Sequence, residues 1–135
     1  MTRDQPLLTF ILLYGATSLA HFIHNAVYLE SYPNLPTWLT PLGVLASWLV
    51  IAGIGAVGYW SFRKNRPALG LGMIALYAAL GFAGLDHYTL APASAHSWAM
   101  NATILGEAVG ASALLVVIAW TAVRHHADHH RPAQP

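Results

Sequence analysis

Residues 42–66 read LGVLASWLVIAGIGAVGYWSFRKNR, an uncharged apolar run that ends abruptly in a basic cluster. The apolar part is close to the roughly 20 residues that a helix needs to cross the hydrocarbon core of a bilayer. Basic residues are enriched in the cytoplasmic segments that flank such helices. This stretch therefore predicts a transmembrane helix that begins at the outer face of the membrane and ends at the inner face.

Three further apolar stretches have a similar length, so the whole chain is predicted to be polytopic. The predicted helices span about 7–28, 42–62, 68–85 and 98–123. The links between them are short, which favours antiparallel packing of sequential helices. We predict an all-α fold: an up-down four-helix transmembrane bundle forming a single domain over 1–123, followed by a polar His-rich tail over 124–135.

The basic residues predict the orientation of this bundle. All six lie before the first helix, in the second link or after the fourth helix: Arg3, Arg63, Lys64, Arg66, Arg124 and Arg131. Since the other two links contain none, both termini are predicted to lie inside, in a multi-pass protein of the inner or plasma membrane. Signal-peptide cleavage after Ala20 is the alternative, and the apolar run continuing to Leu29 argues against it.

The amino-acid composition of the chain indicates which kinds of partner it can bind. The chain is 56% hydrophobic and 8% charged, with a mean hydropathy of +0.51, whereas soluble domains carry charge at roughly a quarter of positions. The predicted partner is therefore membrane lipid. A net charge of +1 without a basic stripe gives no electrostatic basis for nucleic-acid binding. The absence of cysteine excludes disulfides and thiolate-held metals or clusters.

The first helix carries its polar side chains on one face, at the 3.6-residue period: Tyr14, Ser18, His21, Asn25 and Tyr28. Ionisable side chains within a membrane are costly and normally face the bundle interior. At a rise of about 1.5 Å per residue, His21 lies roughly 10 Å below the outer boundary, and Glu107 lies roughly 14 Å inward of Trp98. We therefore predict that His21 and Glu107 meet inside the bundle.

Together, the ionisable residues of three helices predict one His/carboxylate site in the outer leaflet, facing the non-cytoplasmic side. The predicted metal ligands are His21, His24, His87, His96 and Glu107. The residues predicted to orient the imidazoles are Asn25, Asp86 and Asn101. Imidazole and carboxylate ligands suit a transition metal such as copper, iron or zinc. A b-type heme between His24 and His87, with room made by Gly81 and Gly84, is the second cofactor prediction.

Three other interpretations remain open from the sequence. His21 and Glu107 can act as catalytic acid and base without metal, in an isomerase-like enzyme for a lipid-soluble small molecule or in a proton-coupled carrier. The chain can instead be an accessory subunit of a larger membrane complex, or form a homo-oligomer. Finally, the polar cluster can serve only as interhelical hydrogen bonds that hold the bundle together.

Overall fold

The computed structural model describes residues 5–129, and this part of the chain contains helices and no strands. The helices are α1 (Gln5–Val27), α2 (Pro41–Arg63), α3 (Pro67–Leu80), α4 (His87–Leu90) and α5 (Trp98–His129). A 3₁₀ turn over Gly81–Asp86 joins α3 to α4, so that the two form one span. Four segments are long and apolar enough to cross a membrane. The predicted all-α four-helix transmembrane fold is confirmed.

The ends of α2 and α3 follow from local chemistry. Pro41 occupies the first turn of α2, where its missing N–H is not needed. Thr40 caps the same turn, because its hydroxyl accepts a hydrogen bond from the Gly43 N–H at 3.1 Å. At the other end, Asn65 adopts a φ of 57°, which reverses the chain before α3 begins at Pro67. The result is a tight α2–α3 hairpin.

Glycines let the two helices of this hairpin approach closely. A Cβ at Gly70 would lie 2.5 Å from the backbone nitrogen of Phe62, and one at Gly55 would lie 2.6 Å from the Tyr77 ring. Small residues at helix contacts are typical of membrane bundles, in which packing rather than hydrophobic burial drives association. The α2–α3 contact therefore depends on the absence of side chains at these positions.

Replacing Gly70 with alanine is expected to destabilise the bundle by about 1–3 kcal/mol, because backbone atoms rather than a flexible side chain block the new methyl group. Gly72, on the same helix, is the matched control: a Cβ there meets nothing within 4 Å. Gly72→Ala is expected to be neutral or stabilising by up to ~1 kcal/mol. Unfolding in mixed detergent micelles measures both, and equal stability of the two variants would contradict this packing.

An apolar core fills the half of the bundle that lies away from the predicted site. It is built from buried aliphatic side chains of α1, α3 and α5: Leu7, Ile11, Leu71, Ile74, Leu114 and Ile118. Tyr14 and Tyr77 close this core on the side of the site, with ring centroids 4.6 Å apart. Many large apolar side chains on the outside of the bundle are exposed, among them Leu42 and Val116, as expected of helices that face lipid.

The fourth span continues past the predicted end at about residue 123. α5 is helical through His129, so the first part of the predicted tail extends this helix, and residues 130–135 lie outside the described range. The Arg124 guanidinium lies 3.8 Å from the centroid of the Trp120 ring, a geometry in which the ring face attracts the cation. The N-in/C-in orientation and the identity of the membrane stay predictions.

Candidate functional site

His21 of α1 and Glu107 of α5 face each other inside the bundle. His21 is 2% exposed and Glu107 is 1% exposed. The Nε2 atom of His21 lies 3.7 Å from Oε2 of Glu107, and the Ser18 hydroxyl donates a 2.7 Å hydrogen bond to Oε1 of the same carboxyl group. The structure thus brings together the two residues that the sequence predicted as catalytic, and Ser18, one turn before His21 on α1, bonds to Glu107.

The 3₁₀ turn over Gly81–Asp86 packs against the His21–Glu107 pair. A Cβ at Gly84 would lie 2.9 Å from Oε2 of Glu107 and 3.5 Å from Nε2 of His21. Only a glycine at this position lets the turn pack this closely against the carboxyl group. Short 3₁₀ stretches within a helix often mark functional positions, and here the stretch lies directly against the acid and the imidazole.

A line of hydroxyl groups leads from His21 to the end of the bundle where α1 finishes and α5 begins. The Nδ1 atom of His21 lies 3.5 Å from Oγ1 of Thr103, and the Thr103 side chain lies near that of Tyr32. The Tyr32 hydroxyl in turn lies 2.9 Å from Nδ1 of His24, which is partly exposed. We call Thr103, Tyr32 and His24 the relay.

The relay assigns the protons on His21. The Thr103 hydroxyl donates its hydrogen to the carbonyl of Met100 at 3.0 Å, so toward His21 it acts as an acceptor. His21 then carries its proton on Nδ1 and presents the lone pair of Nε2 to Glu107. The imidazole is therefore oriented as a base toward the carboxyl group.

Tyr32 comes from the link between α1 and α2, yet it is 4% exposed. Its ring packs against the rings of His87 and His24, with centroids 4.8 and 5.8 Å apart. Burial raises the pKa of the Tyr32 hydroxyl, which keeps it a neutral group able both to donate and to accept a proton. From the sequence it is expected at the membrane interface, because a link has no periodicity that predicts burial.

The other predicted ligands form a second group beside the pair. The His87 ring lies 5.5 Å from the His21 ring and 6.1 Å from the His96 ring, centroid to centroid. The His96 ring is fixed by a backbone contact, since its Nδ1 atom lies 3.1 Å from the carbonyl oxygen of Pro92. Two buried ring nitrogens in this group, Nδ1 of His87 and Nε2 of His96, have no hydrogen-bond partner.

The three residues predicted to orient imidazoles differ in their contacts. The Asn25 amide nitrogen lies 3.3 Å from Nε2 of His87, as expected of an orienting residue. Asn101 instead accepts a hydrogen bond from the Tyr88 hydroxyl and donates to the backbone carbonyls of Ala93 and His96. It therefore fixes the loop rather than a ring. Asp86 is exposed at the end of the 3₁₀ turn.

The predicted metal and heme remain predictions. Within residues 5–129, no three or more His, Asp or Glu side chains are grouped so that they could hold a metal ion. Ring nitrogens of His21, His24 and His96 already have protein partners. Of the glycines predicted to make room for heme, Gly81 packs against Tyr14 and Gly84 packs against Glu107.

Comparison with known proteins adds no family to this description. No protein-family model, curated protein or solved structure matches the chain, so the function has to be argued from the chemistry of the site.

Proposed function

We propose that this membrane protein is an acid–base enzyme of the isomerase type, in which His21 and Glu107 exchange protons with a lipid-soluble substrate. The observation that carries the proposal is the buried His21–Glu107 pair, with Nε2 and Oε2 3.7 Å apart, beside Thr103, Tyr32 and the partly exposed His24. A proton-transfer site needs these parts: an acid, a base and a path by which the resting protonation state is restored.

Among the described residues, polar side chains lead to the His21–Glu107 pair from one end of the bundle only. Beyond Ser18 the next polar side chain is Tyr14, which is fully buried and donates to the carbonyl of Tyr77 at 3.2 Å. The aliphatic core follows, with Leu7, Leu114 and Ile118. The apolar side chains in this half of the bundle favour an enzyme over a proton-coupled carrier, because a carrier must connect its site to both faces of the membrane.

Each residue has a distinct part in the proposed chemistry. Glu107 gives a proton to the substrate through Oε2, the carboxyl oxygen that has no hydrogen-bond partner in the described part of the chain. His21 takes the balancing proton at Nε2. Ser18 holds Oε1, so that Oε2 is the reactive oxygen. His21 then returns this proton from Nε2 to the Glu107 carboxylate, which restores the resting state of both groups.

A titration of the two glutamates tests the proposal. Glu30 and Glu107 are the only glutamates in the chain, so ¹³C-labelled glutamate gives two carboxyl signals by NMR in nanodiscs. In metal-free buffer we expect the Glu107 signal to move with pH, as a carboxyl group that exchanges protons does. Replacing His21 with phenylalanine should change the midpoint of this titration by about one pH unit or more, because interacting groups titrate as a pair.

Glu30 is exposed, and its carboxyl signal serves as the internal control that should be the same in the wild type and in His21→Phe. A Glu107 signal that does not move with pH would overturn the proposal. So would a Glu107 midpoint that His21→Phe leaves unchanged, since the two groups would then exchange no proton.

A further inference from the structure

A cleft of about 480 Å³ lies between α1 and α2, with Tyr77 of α3 as its third wall. The two helices leave this space because small residues line both sides of it: Gly15 and Ala16 on α1, and Ala52 and Ala56 on α2. Ala16 and Ala56 are exposed, so the cleft opens sideways onto the surface that faces lipid. A molecule dissolved in the membrane can therefore enter it without crossing water.

The length of the cleft matches one leaflet of a bilayer. Its lining residues run from Leu8 to Leu19 on α1 and from Trp48 to Tyr59 on α2. At a rise of about 1.5 Å per residue, each run is roughly 16 Å long. This is close to half of the roughly 30 Å thickness of the hydrocarbon core. The cleft is therefore long enough to hold one extended acyl chain of a membrane lipid.

Basic residues lie at one end of this cleft. Tyr59 is the last cleft residue of α2, and Arg63 lies one turn further along the same face of that helix. Lys64 follows directly, and both basic residues are exposed. Residues 41–67, which cover α2 and the link to α3, contain no aspartate or glutamate. The end of the cleft at the membrane boundary is therefore positively charged.

We propose that the cleft and these basic residues bind one anionic phospholipid, with an acyl chain in the cleft and the headgroup phosphate against Arg63 and Lys64. An apolar cleft alone accepts the chain of any lipid, and the two cations add the selection by headgroup charge. Arginine suits this role because its guanidinium can donate two parallel hydrogen bonds to a phosphate. The site is separate from the proposed acid–base chemistry, since neither His21 nor Glu107 lines the cleft.

Native mass spectrometry of the protein in detergent micelles tests the proposal, because it resolves the mass of each bound lipid. With equal amounts of dioleoyl phosphatidylglycerol and dioleoyl phosphatidylcholine, we expect at least about fivefold more binding of the anionic lipid. Dihexanoyl phosphatidylglycerol has the same headgroup on short chains. It should bind at least about tenfold more weakly than the dioleoyl lipid, because it leaves much of the cleft unfilled. Excess inorganic phosphate should not displace the dioleoyl lipid.

Ala56→Leu tests whether the acyl chain occupies the cleft. The larger side chain takes up space in the cleft and should weaken binding of dioleoyl phosphatidylglycerol at least about tenfold. Ala46→Leu is the matched control, since it makes the same change on the same helix at an exposed position that does not line the cleft. It should leave lipid binding unchanged, and equal binding by the two variants would overturn the proposal.

Substitutions of single basic residues test the position of the headgroup. Arg63→Gln and Lys64→Gln should each lower the preference for the anionic lipid at least about threefold, and Arg63→Lys should retain most of it. Arg124→Gln removes the same charge from α5, which does not line the cleft, and should keep the wild-type preference. An effect of Arg124→Gln as large as that of Arg63→Gln would mean that net charge rather than this site attracts the lipid, and the proposal would be wrong. Equal binding of the two dioleoyl lipids, or displacement by phosphate, would also overturn it.

Discussion

Replacing Tyr32 with phenylalanine is expected to slow the protonation of Glu107 by about a hundredfold, the smaller end of what a positioned proton donor contributes. The hydroxyl of Tyr32 lies 2.9 Å from Nδ1 of His24, its side chain lies near Thr103, and Thr103 is the contact of His21 on that side. Phenylalanine retains the ring that packs against His87 and removes only the oxygen. The path to the pair is then interrupted while its packing remains.

Time-resolved infrared spectroscopy after a pH jump measures this rate through the carboxyl C=O band. The chain has five aspartates and glutamates in all, and the band of Glu107 is assigned as the one that Glu107→Gln removes. Thr103→Val should slow the reaction to a similar degree, because valine keeps the shape of threonine without the hydroxyl. Thr103→Ser retains a hydroxyl and should stay close to the wild-type rate.

Tyr28→Phe is the matched control for the tyrosine. The Tyr28 ring also packs against His24, with centroids 4.7 Å apart, but Tyr28 is 52% exposed and lies outside the relay. Its replacement should leave the rate unchanged. Wild-type rates in both Tyr32→Phe and Thr103→Val would show that protons reach Glu107 by another route, and the relay would have no function.

The spans and the central pair could be predicted because helical periodicity is regular. Apolar runs of bilayer length gave four helices, and a constant rise per residue placed His21 and Glu107 at similar depth. Ser18 and Thr103 lie on the same predicted faces as these two residues. Their hydrogen bonds to the pair were not predicted, since a hydroxyl on a polar stripe has many partners within reach.

The rest of the site lies in a link and in a 3₁₀ turn, where the regular period of an α-helix no longer predicts which side chains face inward. Tyr32 belongs to a link whose path is set by tertiary packing, so nothing in its sequence neighbourhood predicts that it turns inward. The third span is predicted to end near residue 85 but runs to Leu90, with a 3₁₀ turn in the middle. The glycines of that turn are predicted to make room for heme, and the sequence does not predict that Gly84 packs against the Glu107 carboxyl group.

Stability measurements separate a functional pair from one that only holds the bundle together. Glu107→Leu should destabilise the fold by about 1–3 kcal/mol, because Ser18 and His21 lose a partner inside the bundle. His21→Phe should be destabilising for the same reason, since it leaves the carboxyl group buried beside an apolar ring. Unfolding in mixed detergent micelles gives both values, and Asp86→Asn, at an exposed position, serves as the control.

The variant that combines Ser18→Ala, His21→Phe and Glu107→Leu should instead lie within about 1 kcal/mol of the wild type, because no buried polar group remains unpaired and apolar packing replaces the pair. The three substitutions are in contact, so their effects are not expected to add. Recovery of stability together with loss of the coupled titration would mean that the pair contributes chemistry rather than stability. A combined variant that is less stable than either single one would contradict this and favour the structural interpretation, in which these residues are interhelical hydrogen bonds.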